Sequence, residues 1–402
     1  METSPWNTQL KVETHLSGPF VFQAGIDLDA LAPLIQRVED AREFFNKIPL
    51  YPQVMAQLNH IVLVGGIHGT NTIEGGTESS DEIDIIVNMP PEKIKEDSQR
   101  RISNLKKAYA HATDFALSHD RVGKPRLALE EVMFTDLHRE ITEGINENEF
   151  KYNTPGAYRN PQKGVDKHTQ VGRMSFGGVY KPPKCLPDIV TLMKSFIEWA
   201  NSEPIITLPA IIRAPLVHYY FEMIHPFGDG NGRTGRLIET MILKAAGFKY
   251  ADVFINKYYN DNLERYMTLF NDCRKREEKH INYPNDPFVR FFLEGMRKTI
   301  SATIDLASNL IARHMFADSA RTFRDKKQIN DRQYAIVTTL LDLKKDSCVL
   351  EDIRNASWYK NLYKNRTYLT ANRDLKGLAE RKLIQVDFGK GSLDLQIMPT
   401  PA

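Results

Sequence analysis

Cysteine is scarce in this chain. There are three in 402 residues, Cys185, Cys273 and Cys348, scattered and odd in number. Such a set supports neither a disulfide framework nor a zinc-ligand spacing, and free thiols in a long chain suit a reducing compartment. Long apolar runs are also missing, so no segment reads as a membrane span. The N-terminal METSPWNTQLKVETHLSG lacks the basic start and apolar core of a secretory signal. A soluble, cytoplasmic protein without membrane partners is therefore expected. Excess charge is absent too: 53 Lys and Arg stand against 51 Asp and Glu. No global field draws the chain to nucleic acid or to an acidic membrane, although a local basic patch remains compatible with this balance. There is no internal repeat and no low-complexity tract. The length allows two or three domains with ample core.

What is present is helical periodicity broken by Gly- and Pro-rich loops. Leu28, Leu31, Leu34, Ile35 and Val38 share one helix face that Asp27 or Asp29 can cap. A second apolar helix starts after Pro52 and stops at the glycines of GTNTIEGG. SSDEIDIIVN follows, and the segment from PPEKIKEDS to HATDFA reads as a further helix. Residues 129–144 form another. HTQVGRMSFGGVYKPP reads as two short strands around a glycine turn, and DIVTLMKSFIEWA as a helix. An apolar stripe from Ile211 to Met223 and another from Leu237 to Ala245 flank one loop, with Pro209 and Pro215 leaving the start of the first stripe open. After a helical stretch ending in ARHMF, the charged ADSARTFRDKKQIN reads as a linker to a last small domain.

The loop between the two stripes is His225-Pro-Phe-Gly-Asp-Gly-Asn-Gly-Arg-Thr-Gly-Arg236. Gly230, Gly232 and Gly235 fit G-x-G-x-x-G, but a dinucleotide fingerprint needs a preceding strand and a βαβ unit, and a helix precedes this one. A P-loop needs Gly-Lys-Ser/Thr, and an EF-hand needs further oxygen ligands and a closing glutamate; neither is there. A loop that opens a helix offers unpaired N–H groups and a positive dipole end. Gly230 and Gly232 let a phosphate approach the backbone, and Asn231 can add an amide donor. Arg233 and Arg236, three apart, bring two guanidinium forks to one side of the first turn. Asp229 is a hard ligand suited to Mg²⁺. His225, at the end of the preceding helix, is a candidate proton acceptor.

This segment resembles the Fic family, whose signature His-Pro-Phe-x-[Asp/Glu]-Gly-Asn-Gly-Arg-x-x-Arg it matches at every fixed position. The resemblance extends over roughly residues 30 to 300. It implies a mainly α fold, a helical core with a β-hairpin flap, and transfer of AMP from Mg·ATP to a Ser, Thr or Tyr hydroxyl of a target protein or of the chain itself. By that resemblance His225 would be the general base, Asp229 the Mg²⁺ ligand, and Gly230–Asn231–Gly232 the anion hole. Arg233 and Arg236 would hold the β- and γ-phosphates. Gly177, Gly178, Val179 and Tyr180 would belong to the flap that aligns an extended target. A Fic loop can also accept another nucleotide or a phosphocholine donor.

Upstream, Thr70, Glu74 and Gly75 match the family's inhibitory [Ser/Thr]-x-x-x-Glu-[Gly/Asn]. The resemblance implies a carboxylate that occupies Arg236 and turns ATP out of its productive pose; the alternative is an ordinary helix end with Gly75 as its stop. In some relatives the same glutamate aligns water for removal of AMP. His218 lies two turns before His225 and reads as a core residue rather than a ligand; His68, beside Gly69, reads as a helix end, with a place in the site wall as the alternative. Arg159 in PGAYRN reads as a loop-ordering residue. Tyr258 and Tyr259 either stack on adenine or pack in the core, and Asn262 is a ribose contact by family position.

The expected organisation is an N-terminal helical region with the inhibitory motif at 1–115, a catalytic core at 116–315, and a winged-helix domain at 326–402. In the last, TYLTANRDLKGLAERKLI resembles a recognition helix exposing Thr370, Asn372 and Arg373 and burying Leu369, Leu375 and Leu378. Its net charge of about +5 by side-chain count suits phosphate contacts, but a protein-docking or dimer-forming module, and hence a homo-oligomer, fits as well. The competing reading of the whole chain is a DNA-binding regulator whose core senses nucleotide without turnover.

Overall fold

A computed structural model describes residues 5–120, 126–145, 153–161, 171–343, 347–387 and 392–394. The chain divides into two compact units, one of residues 1–48 and 59–303 and one of residues 49–58 and 304–402. The expected N-terminal region and catalytic core thus cluster together.

The first unit opens with a hairpin, β1 (Leu10–Val12) and β2 (Phe20–Phe22), paired Leu10 to Phe22. Then come α1 (Leu28–Asn46), α2 (Pro52–Ile73, whose start belongs to the second unit), α3 (Ser80–Val87), α4 (Asp97–Asp120) and α5 (Glu131–Thr142). Asp27 caps α1 by accepting from the Ala30 N–H, and Ser79 with Glu82 forms a capping box on α3. A second hairpin, β3 (Val171–Arg173) and β4 (Gly178–Tyr180), pairs Val171 with Tyr180. It precedes α6 (Leu186–Asn201), α7 (Glu203–Ile206), α8 (Ala210–Ile224), α9 (Asn231–Ala245), α10 (Ala251–Asp261), α11 (Leu263–Glu278) and α12 (Asp286–Asp325).

Pro209 is the N-cap of α8, and Pro215 lies inside it. The residues before Pro215 carry the helix far enough that the ring, lacking an N–H, breaks one bond and not the helix. Helix α9 packs against α4, α5, α8 and α10, so the apolar stripes around the loop become a buried pair of rods. The charged segment expected as a linker is largely helix: α12 continues without a break to Asp325, because its Ala and Arg residues favour helix as readily as loop.

The second unit contains the end of α12, then α13 (Asp331–Asp342), β5 (Ser347–Val349), α14 (Leu350–Asn355), α15 (Ser357–Leu362), α16 (Tyr368–Glu380), β6 (Gln385–Asp387) and β7 (Ser392–Asp394). The strands form one antiparallel sheet in the order β5-β7-β6. Its core holds Ile336, Val337, Leu340, Ile353, Leu375 and Leu378. Leu369, expected inside, is 78% exposed, and its neighbour Tyr368 63%; both precede the turn of α16 that meets the core. Arg373 is exposed as expected, while Asn372 accepts a hydrogen bond from Arg354 at 2.8 Å.

Candidate functional site

Helix α8 is buried along its length and ends at His225, which takes a left-handed conformation with φ 50° and ψ 61°. A non-glycine residue there costs roughly 1–2 kcal/mol, so something must hold it. Arg159 does. Its Nε donates to the His225 carbonyl (2.7 Å), its Nη2 to the Pro183 carbonyl (2.7 Å) and its backbone N–H to that of Pro226 (2.8 Å). One turn before His225, Glu222 sets Oε2 3.3 Å from His225 Nδ1. Burial pushes the Glu222 carboxyl up, but His225, His218 and Arg236 outweigh it and hold the group ionised below its ordinary range. A carboxylate beside Nδ1 favours the tautomer with its proton there, leaving Nε2 to accept one.

The loop that follows is closed from within. Asn231 Oδ1 accepts from the Phe227 N–H and its Nδ2 donates to the Phe227 carbonyl, both at 2.9 Å. The expectation of Asn231 as a ligand-facing amide is corrected accordingly: its side chain shapes the loop, and its backbone alone faces the helix end. His138 of α5 stacks on Phe227, with ring centroids 3.7 Å apart and planes 2° from parallel. Its Nδ1 accepts from the Gly156 N–H, and its Nε2 lies 2.9 Å from the Asp229 carbonyl. A backbone N–H can only donate, so Nδ1 is bare and Nε2 carries the proton. Burial pushes this imidazole down to about 4, consistent with a neutral ring. Asn153 Oδ1 accepts from the Asp229 N–H at 3.1 Å. The Asp229 carboxylate meets Arg233 Nη2 at 2.5 Å; burial raises its pKa, and Arg233 more than reverses that.

Gly230 is the N-cap of α9. The N–H groups of Asn231, Gly232 and Arg233 stand at the positive end of the helix without carbonyls of a preceding turn. Arg233 is 3% exposed, yet its Nε and Nη1 have no hydrogen-bond partner among the described residues. Buried guanidinium nitrogens are rarely left so, and they mark a position for an anion. Arg236 is equally buried but fully engaged: Nε donates to Thr70 Oγ1 (2.8 Å), Nη1 to Tyr266 Oη (3.2 Å) and Nη2 to Glu74 Oε1. Burial alone would lower its pKa; Tyr266, Glu74 and Glu222 together raise it. The Glu74 carboxylate also lies against Gly232, where a Cβ would stand 2.2 Å from Oε1. A carboxylate therefore occupies the space over the first turn of α9.

Glu74 reaches that space because α2 ends just before it. The Gly75 N–H bonds to the Thr72 carbonyl (3.0 Å) and the Gly76 N–H to that of Asn71 (2.9 Å), with Gly75 at φ 91°. This is a Schellman stop, which needs a residue free of Cβ strain at position 75. The helix end and the Glu74–Arg236 contact are thus one structure.

The remaining expectations divide. The hairpin is present, and its turn is tied to α11 by Asn271 Nδ2 donating to the Gly177 carbonyl (2.7 Å) and by Arg274 5.4 Å from the Tyr180 ring. Gly178 and Val179 lie in β4. Residues 168–170 of the expected flap fall outside the described residues. Tyr258 and Tyr259, read either as adenine-stacking or as core residues, are both buried. Tyr259 is fully buried with its hydroxyl on Glu239, and Tyr258 packs against Phe291. Asn262 Nδ2 donates to the Tyr258 carbonyl at 2.9 Å, at the junction of α10 and α11. His68 lies inside α2, not at its end. His218 is a core residue that bridges two buried groups. Its Nδ1 pairs with Glu239 (2.8 Å) and its Nε2 with the Tyr266 hydroxyl (3.1 Å), linking Glu239 to Arg236. Glu222, His138, Asn153 and Tyr266 were not singled out from the sequence. Glu222 carries a readable signal, three residues before His225 on one helix face. The others come from segments distant in sequence and carry none.

The Fic/DOC family model matches residues 128–243. The protein adenylyltransferase Fic of Drosophila erecta is 37% identical over 123 residues, 31% of this chain and 22% of that protein. That of Drosophila melanogaster is 37% identical over 123 residues, 31% of this chain and 23% of its own length. The chain thus matches less than a quarter of these relatives. A Fic family protein from Desulfovibrio desulfuricans G20 shares the fold at TM-score 0.52 and 17% identity, over 92% of this chain and 97% of its own. A Fic-domain signaling protein from Bacteroides thetaiotaomicron does so at TM-score 0.54 and 20% identity, over 69% of this chain and 97% of its own. Among the described residues no helix is long and apolar enough to cross a membrane. Glu74 lies outside the matched segment, whereas Glu222, His225, Asp229 and both loop arginines lie within residues 128–243, the part of this chain that is similar to the Fic/DOC family.

Proposed function

We propose that the chain is a protein adenylyltransferase, held inactive by Glu74, that transfers AMP from ATP to a Ser, Thr or Tyr hydroxyl. The observation that carries this reading is the conjunction at the head of α9: an imidazole whose Nδ1 lies 3.3 Å from the Glu222 carboxylate, beside a helix end with two Arg233 nitrogens that have no partner among the described residues. His225 Nε2 takes the proton of the attacking hydroxyl. The Gly230–Asn231–Gly232 backbone and Arg233 stabilise negative charge on the phosphates as pyrophosphate departs. Arg236 holds the terminal phosphate once Glu74 withdraws, and the β3–β4 hairpin aligns an extended target by strand addition.

Among the described residues no three potential metal-ligand side chains stand together. Asp229 fits Mg²⁺ nonetheless: it is ionised, its side chain is 30% exposed, and Mg²⁺ is commonly held by one carboxylate and the phosphates. When bound, the ion neutralises phosphate charge. The three free thiols suit a reducing, cytoplasmic setting.

For the second unit, the exposed Tyr368 and Leu369 favour protein docking over DNA reading, since bases and phosphates are met mainly by polar and basic groups. The test of the main reading is to incubate the Glu74→Gly protein and a cell lysate with α-labelled ATP, followed by mass spectrometry. An added AMP on hydroxyl residues is expected; label absent from every protein overturns the reading.

A further inference from the structure

The far end of α9 borders a cavity of about 370 Å³. Helix α9 is 15 residues long, so this cavity lies roughly 20 Å from the motif loop. Three arginines from separate elements line it: Arg42 of α1, Arg126 before α5, and Arg213 of α8. Glu39 is the carboxylate among the lining residues, and it pairs with Arg42 at 2.8 Å.

Arg213 is 3% exposed, and its nitrogens meet neutral oxygens: the Leu127 carbonyl (2.6 Å), the Ala200 carbonyl (3.2 Å) and Asn201 Oδ1 (3.3 Å). Burial, with Arg126 nearby, pushes this guanidinium down to about 10. Arg126 makes no ion pair among the described residues. Arg42 spends Nη1 on the Ala246 carbonyl (2.7 Å) while its buried Nε has no hydrogen-bond partner among the described residues. Two positive charges thus face the cavity without a counterion, and the N-terminus of α8, at Pro209 and Ala210, adds its positive end. A buried cation without a counterion is costly to the fold. Apart from Thr207, the remaining wall is apolar, with Leu127, Ile206, Leu208 and Ile242 among its residues.

We propose that this cavity is a binding site for a small phosphomonoester, its dianion seated between Arg42, Arg126 and Arg213 and its organic part against the aliphatic wall. Guanidinium forks suit phosphate oxygens, and the volume falls in the range of small-ligand pockets, about 300–1,000 Å³. The site is independent of the adenylyltransferase reading.

The test is calorimetric titration of the full chain with inorganic phosphate, ribose 5-phosphate and ribose, in wild type, Arg126→Ala and Arg233→Ala. Arg126 is exposed, so its removal spares the fold, and Arg233→Ala disables the motif loop. Ribose 5-phosphate is expected to bind more tightly than phosphate, ribose not at all, and Arg126→Ala to weaken binding about tenfold while Arg233→Ala leaves it unchanged. Absence of binding up to about 10 mM, or weakening that follows Arg233 and not Arg126, overturns the proposal.

Discussion

The first turns of α9 and α16 both carry polar and basic residues at a helix start, and they are held in opposite ways. In α9, Asn231, Arg233 and Arg236 are all buried, and each is fixed by a partner outside the helix: Phe227 and Asp229 of the preceding loop for the first two, Thr70 and Glu74 for the last. In α16, Thr367 caps the helix through the Thr370 N–H, but Tyr368, Leu369 and Arg373 point outward. A buried turn is preorganised for one ligand geometry, so changes there act on chemistry and on stability together. An exposed turn contributes little to the fold, so changes there act on recognition alone.

The largest effect should come from His225→Ala introduced into the Glu74→Gly protein. Removing a general base lowers rates by about 10²–10⁴, so AMP transfer should fall by that factor while nucleotide binding, followed by calorimetry, persists. Glu74→Gly by itself should raise labelling at least about tenfold and lower the melting temperature, because Arg236 loses its carboxylate. A rise in activity with a fall in stability is the signature of a clamp and would not follow from a merely structural glutamate.

His138→Ala should cost on the order of 3 kcal/mol, the size expected for a buried ring, read by denaturant unfolding. The pH dependence has a definite sign. Native His138 has a depressed pKa of about 4, below the unfolded value of about 6.5. The unfolded chain therefore binds the extra proton between those values. The contribution of neutral His138 is present in full above about pH 6.5 and is lost at about 1.4 kcal/mol per pH unit as pH falls toward 4. His138→Ala should flatten that part of the stability profile.

Thr70→Val should cost about 1–3 kcal/mol, since it strips an acceptor from buried Arg236, with a smaller gain in labelling than Glu74→Gly produces. The smallest effect on stability belongs to Tyr368→Ser with Leu369→Ser, within about 0.5 kcal/mol each. If α16 docks a protein, this pair should nevertheless abolish that docking in a pull-down, whereas Arg373→Ala should not. The opposite pattern would make the second unit a reader of phosphates.

What could be read from the residues themselves follows the same division. Helices α1, α2, α8 and α9 were legible because their apolar spacing is local, and the loop 225–236 because its special residues are contiguous. Glu74 was legible through its short motif with Thr70 and Gly75. His138 was not, since it meets Asp229 across 91 positions of sequence. Leu369 was misplaced because helical periodicity does not say which turns of a helix meet the core. Tyr258 and Tyr259 left two readings open that only burial separates. The segment after ARHMF failed as a linker because charged residues of high helix propensity serve α12 equally well.

In the proposed function, activity rests on His225 acting on a hydroxyl that Glu74 otherwise keeps from productive ATP. The most direct measurement compares incorporation from α-labelled ATP by the Glu74→Gly protein and by Glu74→Gly with His225→Ala. Strong label in the first and background in the second is the predicted result; equal label in both, or none in either, would contradict it.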